Sequence, residues 1–225
     1  MADLPHTPAE LARVIDHTLL SPTARVGDIE RLCREAREQR LFSVCVHPCW
    51  VPRAKFDLGD ASEVAICTVI GFPLGANQSV IKAAEAGRAV ADGADELDMV
   101  INLGWLLGGE HDAVREDIAA VVQAAAGRLV KVILETAQLD DALIRTASRL
   151  AVEAGAQFVK TSTGFGPGGA TVEAVRAMRE TVGPDVGVKA SGGIRDAATA
   201  RAMLEAGASR LGASASLAIL DGWTA

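Results

Sequence analysis

Short runs rich in Val, Ile and Leu recur along the chain: ARVID, LFSVCV, EVAICTVI, DELDMVI, LVKVILE, QFVK, VGVK and SRLGAS, beginning at residues 12, 41, 63, 95, 129, 157, 186 and 209. An interval of roughly 20 to 35 residues accommodates one strand, one loop and one helix. Between the runs lie amphipathic patterns. In Asp28–Arg40, Ile29, Leu32, Cys33 and Ala36 form an i, i+3, i+4, i+7 stripe, with Glu30 and Arg34 spaced to pair on the outer face. Thr7-Pro8-Ala9-Glu10 reads as a capping box with Pro at the first helical position, so a short extra helix opens the chain. Apolar strands alternating with amphipathic helices imply a parallel sheet covered by helices. Eight such units in one chain predict an α/β fold of the (β/α)8 TIM-barrel type, with an open doubly wound sheet as the alternative. No linker or shift of composition divides residues 1–225, so a single domain is expected.

A weak internal repeat sets the register. Asp92-Gly93-Ala94-Asp95-Glu96-Leu97-Asp98, Ala154-Gly155-Ala156-Gln157-Phe158-Val159-Lys160 and Ala206-Gly207-Ala208-Ser209-Arg210-Leu211-Gly212 each place a Gly suited to a left-handed helix C-cap just before a strand. Counting from that Gly puts Asp98, Lys160 and Gly212 at equivalent heights on strands 4, 6 and 8. Alternate strands of a barrel share layers, so these positions should converge on the axis. Strand 2 lacks the Gly, but its start at Leu41 adds Cys45 to the layer.

Composition narrows the function. With 49% hydrophobic and 23% charged residues the chain matches globular proteins. Its formal net charge of −7 disfavours a nucleic-acid surface, so any phosphate recognition must be local. Five Phe, three Trp and no Tyr imply an aliphatic core, and leave no phenol for catalysis. Cys33, Cys45, Cys49 and Cys67 form no CxxC pair, which fits a reduced cytoplasmic protein. The start MADLPHTPAE has neither a basic cluster nor an apolar run, so no secretory signal is expected. The longest uncharged stretch, Val64–Ile81, is interrupted by Gly71, Pro73, Gly75, Asn77 and Gln78, so no membrane span is expected. His6, His17, His47 and His111 show no metal-ligand spacing, and no metal is expected.

Of only five lysines, Lys131, Lys160 and Lys189 sit inside apolar runs. A strand lysine can simply snorkel or join a buried ion pair. Lys160 and Lys189, however, each end a strand and open similar turns, VKTSTG and VKASGG. Neighbouring strands lie about 4.8 Å apart, so the two amines should be close. Their repulsion, together with burial, is expected to lower the pKa of one of them. From a reference of about 10.4, a fall of three units makes a neutral nucleophile common, as Schiff-base chemistry requires. On the same reasoning a Lys189→Leu change should relieve repulsion and spare the fold. Asp98 is the candidate proton carrier, with a counter-ion role to Lys131 or Lys189 as the alternative.

Gly192-Gly193 and Gly212-Ala213-Ser214, after strands 7 and 8, fit the phosphate site that barrels often build there with a short extra helix. Ordinary turns requiring Gly are the alternative. GFGPGG at Gly164–Gly169 lacks dinucleotide-fingerprint spacing. Asp16 and Thr18 share one side of strand 1 and are candidates for a substrate hydroxyl, Lys131 and Thr161 are further candidates for substrate contact, and Cys45 is a candidate pocket wall.

Together, IDHTLL, SVCVHP, GFPLG, ADELDMVIN, KVILET, FVKTSTGF, VGVKASGGIR and GASAS resemble the deoxyribose-phosphate aldolases, from Ile15 to Ser216. The resemblance implies a class I aldolase on a (β/α)8 barrel. Such an enzyme cleaves 2-deoxy-D-ribose 5-phosphate reversibly to acetaldehyde and D-glyceraldehyde 3-phosphate, needs no metal or organic cofactor, and forms a homodimer. By motif, Lys160 is the Schiff-base lysine, Lys189 the second lysine, Asp98 the acid/base carboxylate and Cys45 a lining thiol, with the phosphate near Gly164, Gly192, Gly193, Gly212 and Ser214. Two departures bear on the phosphate. Ser214-Ala215-Ser216 replaces adjacent serines, leaving Ser216 to supply the second hydroxyl if anything does, and Phe165 stands where some relatives carry Lys. The rival functions are a cofactor-free sugar-phosphate isomerase or epimerase with Asp98 as base, and a silent barrel that senses a phosphorylated metabolite.

Overall fold

The computed structural model describes residues 4–224; residues 1–3 and Ala225, included in the single-domain expectation, lie outside them. Eight parallel strands close into a barrel in sequence order. They are β1 (Ile15–Leu19), β2 (Ser43–Val46), β3 (Ala65–Ile70), β4 (Glu96–Val100), β5 (Leu129–Ile133), β6 (Phe158–Lys160), β7 (Gly187–Ser191) and β8 (Arg210–Ala213). The helices are α1 (Pro8–Ala12), α2 (Val26–Glu38), α3 (Val51–Leu58), α4 (Ser79–Ala91), α5 (Leu103–Leu107), α6 (His111–Ala124), α7 (Asp141–Glu153), α8 (Val172–Val182), α9 (Ala197–Glu205) and α10 (Ser216–Asp221). Closure between β1 and β8, with Asp16 opposite Gly212 and His17 opposite Ala213, excludes the open sheet. Among the described residues no helix is long and apolar enough to cross a membrane.

All eight apolar runs become strands, with one shift: ARVID does not begin β1. Thr7 accepts from the Glu10 backbone N–H and Pro8 starts α1, so residues 8–12 are helical and the strand waits until Ile15. α2 buries the expected Ile29, Leu32, Cys33 and Ala36, but starts at Val26 because Asp28 accepts from the Arg25 N–H. Glu30 reaches Arg53 of α3 instead of Arg34. The three repeat glycines do adopt positive φ, at 109°, 89° and 110° for Gly93, Gly155 and Gly207. In each case the next N–H returns to a carbonyl five residues back, as from Ala94 to Ala89, and closes a Schellman cap. Ahead of β2 the same turn is made by Arg40, at φ 51°.

Along each strand the pattern has period two, as the pleat requires. Leu97, Met99, Val130, Val132, Val159, Val188 and Leu211 point outward into one aliphatic core shared with the helices. The inward positions include the expected Asp98, Lys160 and Cys45, together with further charged residues. They carry Asp16, Glu96, Asp98, Lys131, Lys160, Lys189 and Arg210, all buried, beside a small cluster of Leu20, Cys45, Cys67 and Val69.

Candidate active site

Inward-facing residues two apart on one strand lie one above the other, so each strand contributes to two levels of the lumen. At the lower level, the Arg210 guanidinium lies 3.4 Å from the Phe42 ring centroid and donates to Asp16 Oδ1 at 2.8 Å and Glu96 Oε2 at 3.2 Å. Above it, Lys131 Nζ bridges Glu96 Oε2 at 2.6 Å and Asp98 Oδ1 at 2.8 Å. Asp98 Oδ2 then accepts from both Lys160, at 2.9 Å, and Lys189, at 2.7 Å. Lys189 also pairs with Asp16 Oδ2, and the Cys67 thiol donates to Asp98 Oδ1 at 3.2 Å. Gly212 provides the room: a Cβ there would sit 3.0 Å from Lys189 Cε.

Carboxylates thus stand between the amines that were expected to repel each other. Burial alone would raise the Asp98 carboxyl, but the ammonium groups of Lys131, Lys160 and Lys189 outweigh it and hold Asp98 well below the usual carboxylate range. Asp16 is likewise lowered against its burial, by Lys189, Lys131 and Arg210. Burial alone would lower the Lys189 ammonium, yet Asp16 and Asp98 raise it above the ordinary lysine value. Lys131 is raised in the same way, chiefly by Asp98. Lys189 is therefore not the amine that loses its proton through mutual repulsion.

A cleft of about 370 Å³ opens where the strands end. Its walls include Thr18, Lys160, Thr163, Gly164, Phe165, Gly192, Gly193, Arg195, Gly212 and Ser214. The structure brings together Lys160, Thr18 and all five phosphate candidates. It places Asp98, Lys189, Lys131, Asp16 and Cys45 beneath, fully buried and off the cleft wall. Asp16 is consumed by Lys189, Arg210 and Ser43, which donates to it at 2.8 Å, so it offers no site for a substrate hydroxyl. Lys131 is likewise an ion-pair partner below the wall. Thr161 is fully buried and ties the ends of β6 and β7, donating to the Ser191 carbonyl and accepting from its N–H, both at 3.0 Å. Ser216 is no second phosphate hydroxyl, since it is buried and bound to His17 Nδ1 at 2.8 Å.

Cys45, Cys67 and Asp98 bring ligand-type atoms within 4.8 Å of one another, as do Asp16, Cys67 and Glu96. The carboxylates of both groups are already engaged by ammonium or guanidinium, so this donor set serves amines. Sequence reasoning missed Glu96, Arg210 and Arg195. Period two carried the signal for the first pair: Glu96 stands two residues before Asp98, and Arg210 two before Gly212. Arg195 ends the VGVKASGGIR segment and adds an exposed cation to the cleft wall that Phe165 does not provide.

Residues 11–223 match the family described as DeoC/LacD family aldolase. The chain belongs to the DeoC/LacD aldolase family. Relatives within it include the deoxyribose-phosphate aldolase of an Exiguobacterium species, 57% identical over 213 residues, which are 95% of this chain and 96% of the relative. That of Enterococcus faecalis is 57% identical over 216 residues, 96% and 98% of the two chains. The crystal structure of a putative deoxyribose-phosphate aldolase from Coccidioides immitis superposes with a TM-score of 0.93 at 43% identity, covering 97% of this chain and 87% of the other. A tetrameric deoxyribose phosphate aldolase from Aeropyrum pernix gives 0.87 at 37% identity, covering 96% and 91%. Full-length similarity to DeoC/LacD aldolases accords with the closed eight-stranded barrel.

Proposed function

We propose that the chain is a class I aldolase that cleaves 2-deoxy-D-ribose 5-phosphate reversibly to acetaldehyde and D-glyceraldehyde 3-phosphate. The observation that carries this reading is the pair of amines on one oxygen of Asp98, of which Lys160 borders the cleft and Lys189 does not. Lys160 attacks C1 of the open-chain aldehyde, and the resulting carbinolamine loses water to give an iminium ion. The C3 hydroxyl then gives up its proton while the C2–C3 bonding electrons move into the iminium. Glyceraldehyde 3-phosphate leaves and an enamine remains on Lys160. Protonation at C2 and attack by water release acetaldehyde and restore the amine. The iminium is the electron sink, so this route uses no metal or organic cofactor.

Asp98, held ionised, acts first as proton acceptor and donates only what it has received. Lys189, held cationic beside it, keeps that carboxylate oriented and supplies positive charge under the reacting atoms. Gly164, Gly192, Gly193, Gly212 and Ser214 receive the phosphate, with Arg195 as its cation and Thr18 of the neighbouring strand β1 lining the same cleft. The volume suits a small phosphosugar. The isomerase or epimerase alternative has no support from the family match and leaves the amine pair without a task. Four free thiols suit a reducing cytoplasm, and a homodimer is the assembly that belongs to this reading. A coupled assay for acetaldehyde and glyceraldehyde 3-phosphate from 2-deoxyribose 5-phosphate tests it. Release of both in equal amounts is expected, and isomerised phosphosugar without acetaldehyde would overturn it.

A further inference from the structure

His17 lies between two residues of the lumen and cleft, Asp16 and Thr18, yet its own side chain points the other way. It is buried outside the barrel, and nothing in the reaction uses it. The ring nevertheless makes two well-formed contacts. Nε2 lies 2.9 Å from Glu35 Oε2 on α2, and Nδ1 lies 2.8 Å from Ser216 Oγ, the first residue of α10. A carboxylate only accepts, so Nε2 carries a proton toward Glu35. Ser216 Oγ in turn lies 3.1 Å from the Ala213 carbonyl, and its single hydrogen goes either to that carbonyl or to Nδ1. Ala213 is the strand partner of His17 across the β1–β8 seam. The three residues therefore close a bracket around the turn Ala213-Ser214-Ala215: β8 enters it at Ala213, and α10 leaves it at Ser216.

This bracketed turn is the one that presents Ser214 to the cleft, next to Gly212. Ser214 is exposed and Ser216 fully buried, so the two hydroxyls have divided roles. We infer that His17 is a positioning residue for phosphate recognition: by tying Ser216 to Glu35 it sets the turn that offers Ser214 to the substrate's phosphate, and it leaves the Schiff-base chemistry untouched. The inference rests on the reading of this turn as part of the phosphate pocket.

The test compares 2-deoxyribose 5-phosphate with unphosphorylated 2-deoxyribose as substrates of the full chain. Ser216→Ala deletes the bracket with little change of volume, His17→Phe deletes it at the other end, and His17→Asn keeps a polar group near the Nδ1 position. For Ser216→Ala and His17→Phe, KM for the phosphorylated substrate should rise about tenfold with kcat retained, while kcat/KM for 2-deoxyribose stays unchanged; a tenfold loss is what one hydrogen bond of about 1.4 kcal/mol supplies. His17→Asn should recover part of the loss. Equal losses on both substrates, or an unchanged ratio in Ser216→Ala with native circular dichroism, would overturn the inference, and Ser216→Ala decides alone if His17→Phe fails to fold. Ser214→Ala separates the two levels of the argument. If it lowers the preference for phosphorylated substrate and the bracket variants do not, only the role of His17 falls; if it too leaves the preference unchanged, the phosphate reading of the turn falls with it.

Discussion

Replacing Lys189 with methionine removes one ammonium and keeps most of the side chain's length. The lumen holds Lys131, Lys160, Lys189 and Arg210 against Asp16, Glu96 and Asp98, so a count of charges alone says that losing one cation should help the fold. The individual contacts reverse that expectation. Lys189 Nζ lies 2.7 Å from Asp98 Oδ2 and pairs with Asp16 Oδ2, for which the next cation, Lys131, stands at 3.8 Å. Without Lys189, Asp98 keeps Lys131 and Lys160, and Asp16 keeps Arg210 and Ser43 on its other oxygen. Asp16 Oδ2 then faces a thioether in a space closed to water. Removing one partner of a fully buried pair costs about 3–5 kcal/mol, and the cations that remain place this case near 3. At roughly 2–4 °C per kcal/mol for a chain of this size, the midpoint should fall by about 6–12 °C. Thermal unfolding followed by circular dichroism at pH 7 reads the shift, with urea unfolding as a second measure. A Lys189→Met protein as stable as its parent, or more stable, would refute the reasoning and restore repulsion as the governing force.

The same network sets the pH dependence of stability. Asp16 and Asp98 titrate below their usual value when folded, so their contribution is complete above about pH 4 and is lost as pH falls through the folded values. Lys131 and Lys189 titrate above theirs, so their share is complete below about pH 10 and is lost at higher pH. Denaturant unfolding between pH 3 and 8 should show a shallower acid slope for Asp98→Asn than for the parent; identical slopes would contradict the assignment. Gly212→Ala should lower kcat on the order of tenfold or more, because the new Cβ would meet Lys189 Cε and Ser191 Cβ at 3.0 Å and displace the ammonium from Asp98. An unchanged kcat would mean that the position of Lys189 does not matter to the chemistry.

Much of this was legible in the residues. The eight runs mark eight strands, and the glycines at 93, 155 and 207 locate three strand entries because that turn favours a residue without Cβ. The equivalent turn ahead of β2 was hidden, since Arg40 occupies it and carries no such mark. The convergence of Asp98 with Lys160 and Gly212 follows from the register count. That count brings only the side chains of Asp98, Lys160 and Cys45 to the axis; the rest of the ionic filling emerges once Glu96 and Arg210 are placed by period two beside Asp98 and Gly212. The repulsion argument does not hold for Lys189, for a related reason: it compared two amines without the carboxylate that β1 brings between β7 and the lumen floor. The contact of His17 with Ser216 joins positions 199 residues apart and exists only after the barrel has closed.

Borohydride reduction in the presence of 2-deoxyribose 5-phosphate or acetaldehyde, followed by peptide mass mapping, reads the covalent step itself. Reduction of the iminium should leave a stable adduct on Lys160, the amine that shares Asp98 with Lys189 and borders the cleft, and Lys160→Met should abolish both the adduct and aldehyde release. An unmodified Lys160 in active protein, or an adduct on Lys189 alone, would contradict the assignment of Lys160 as the nucleophile.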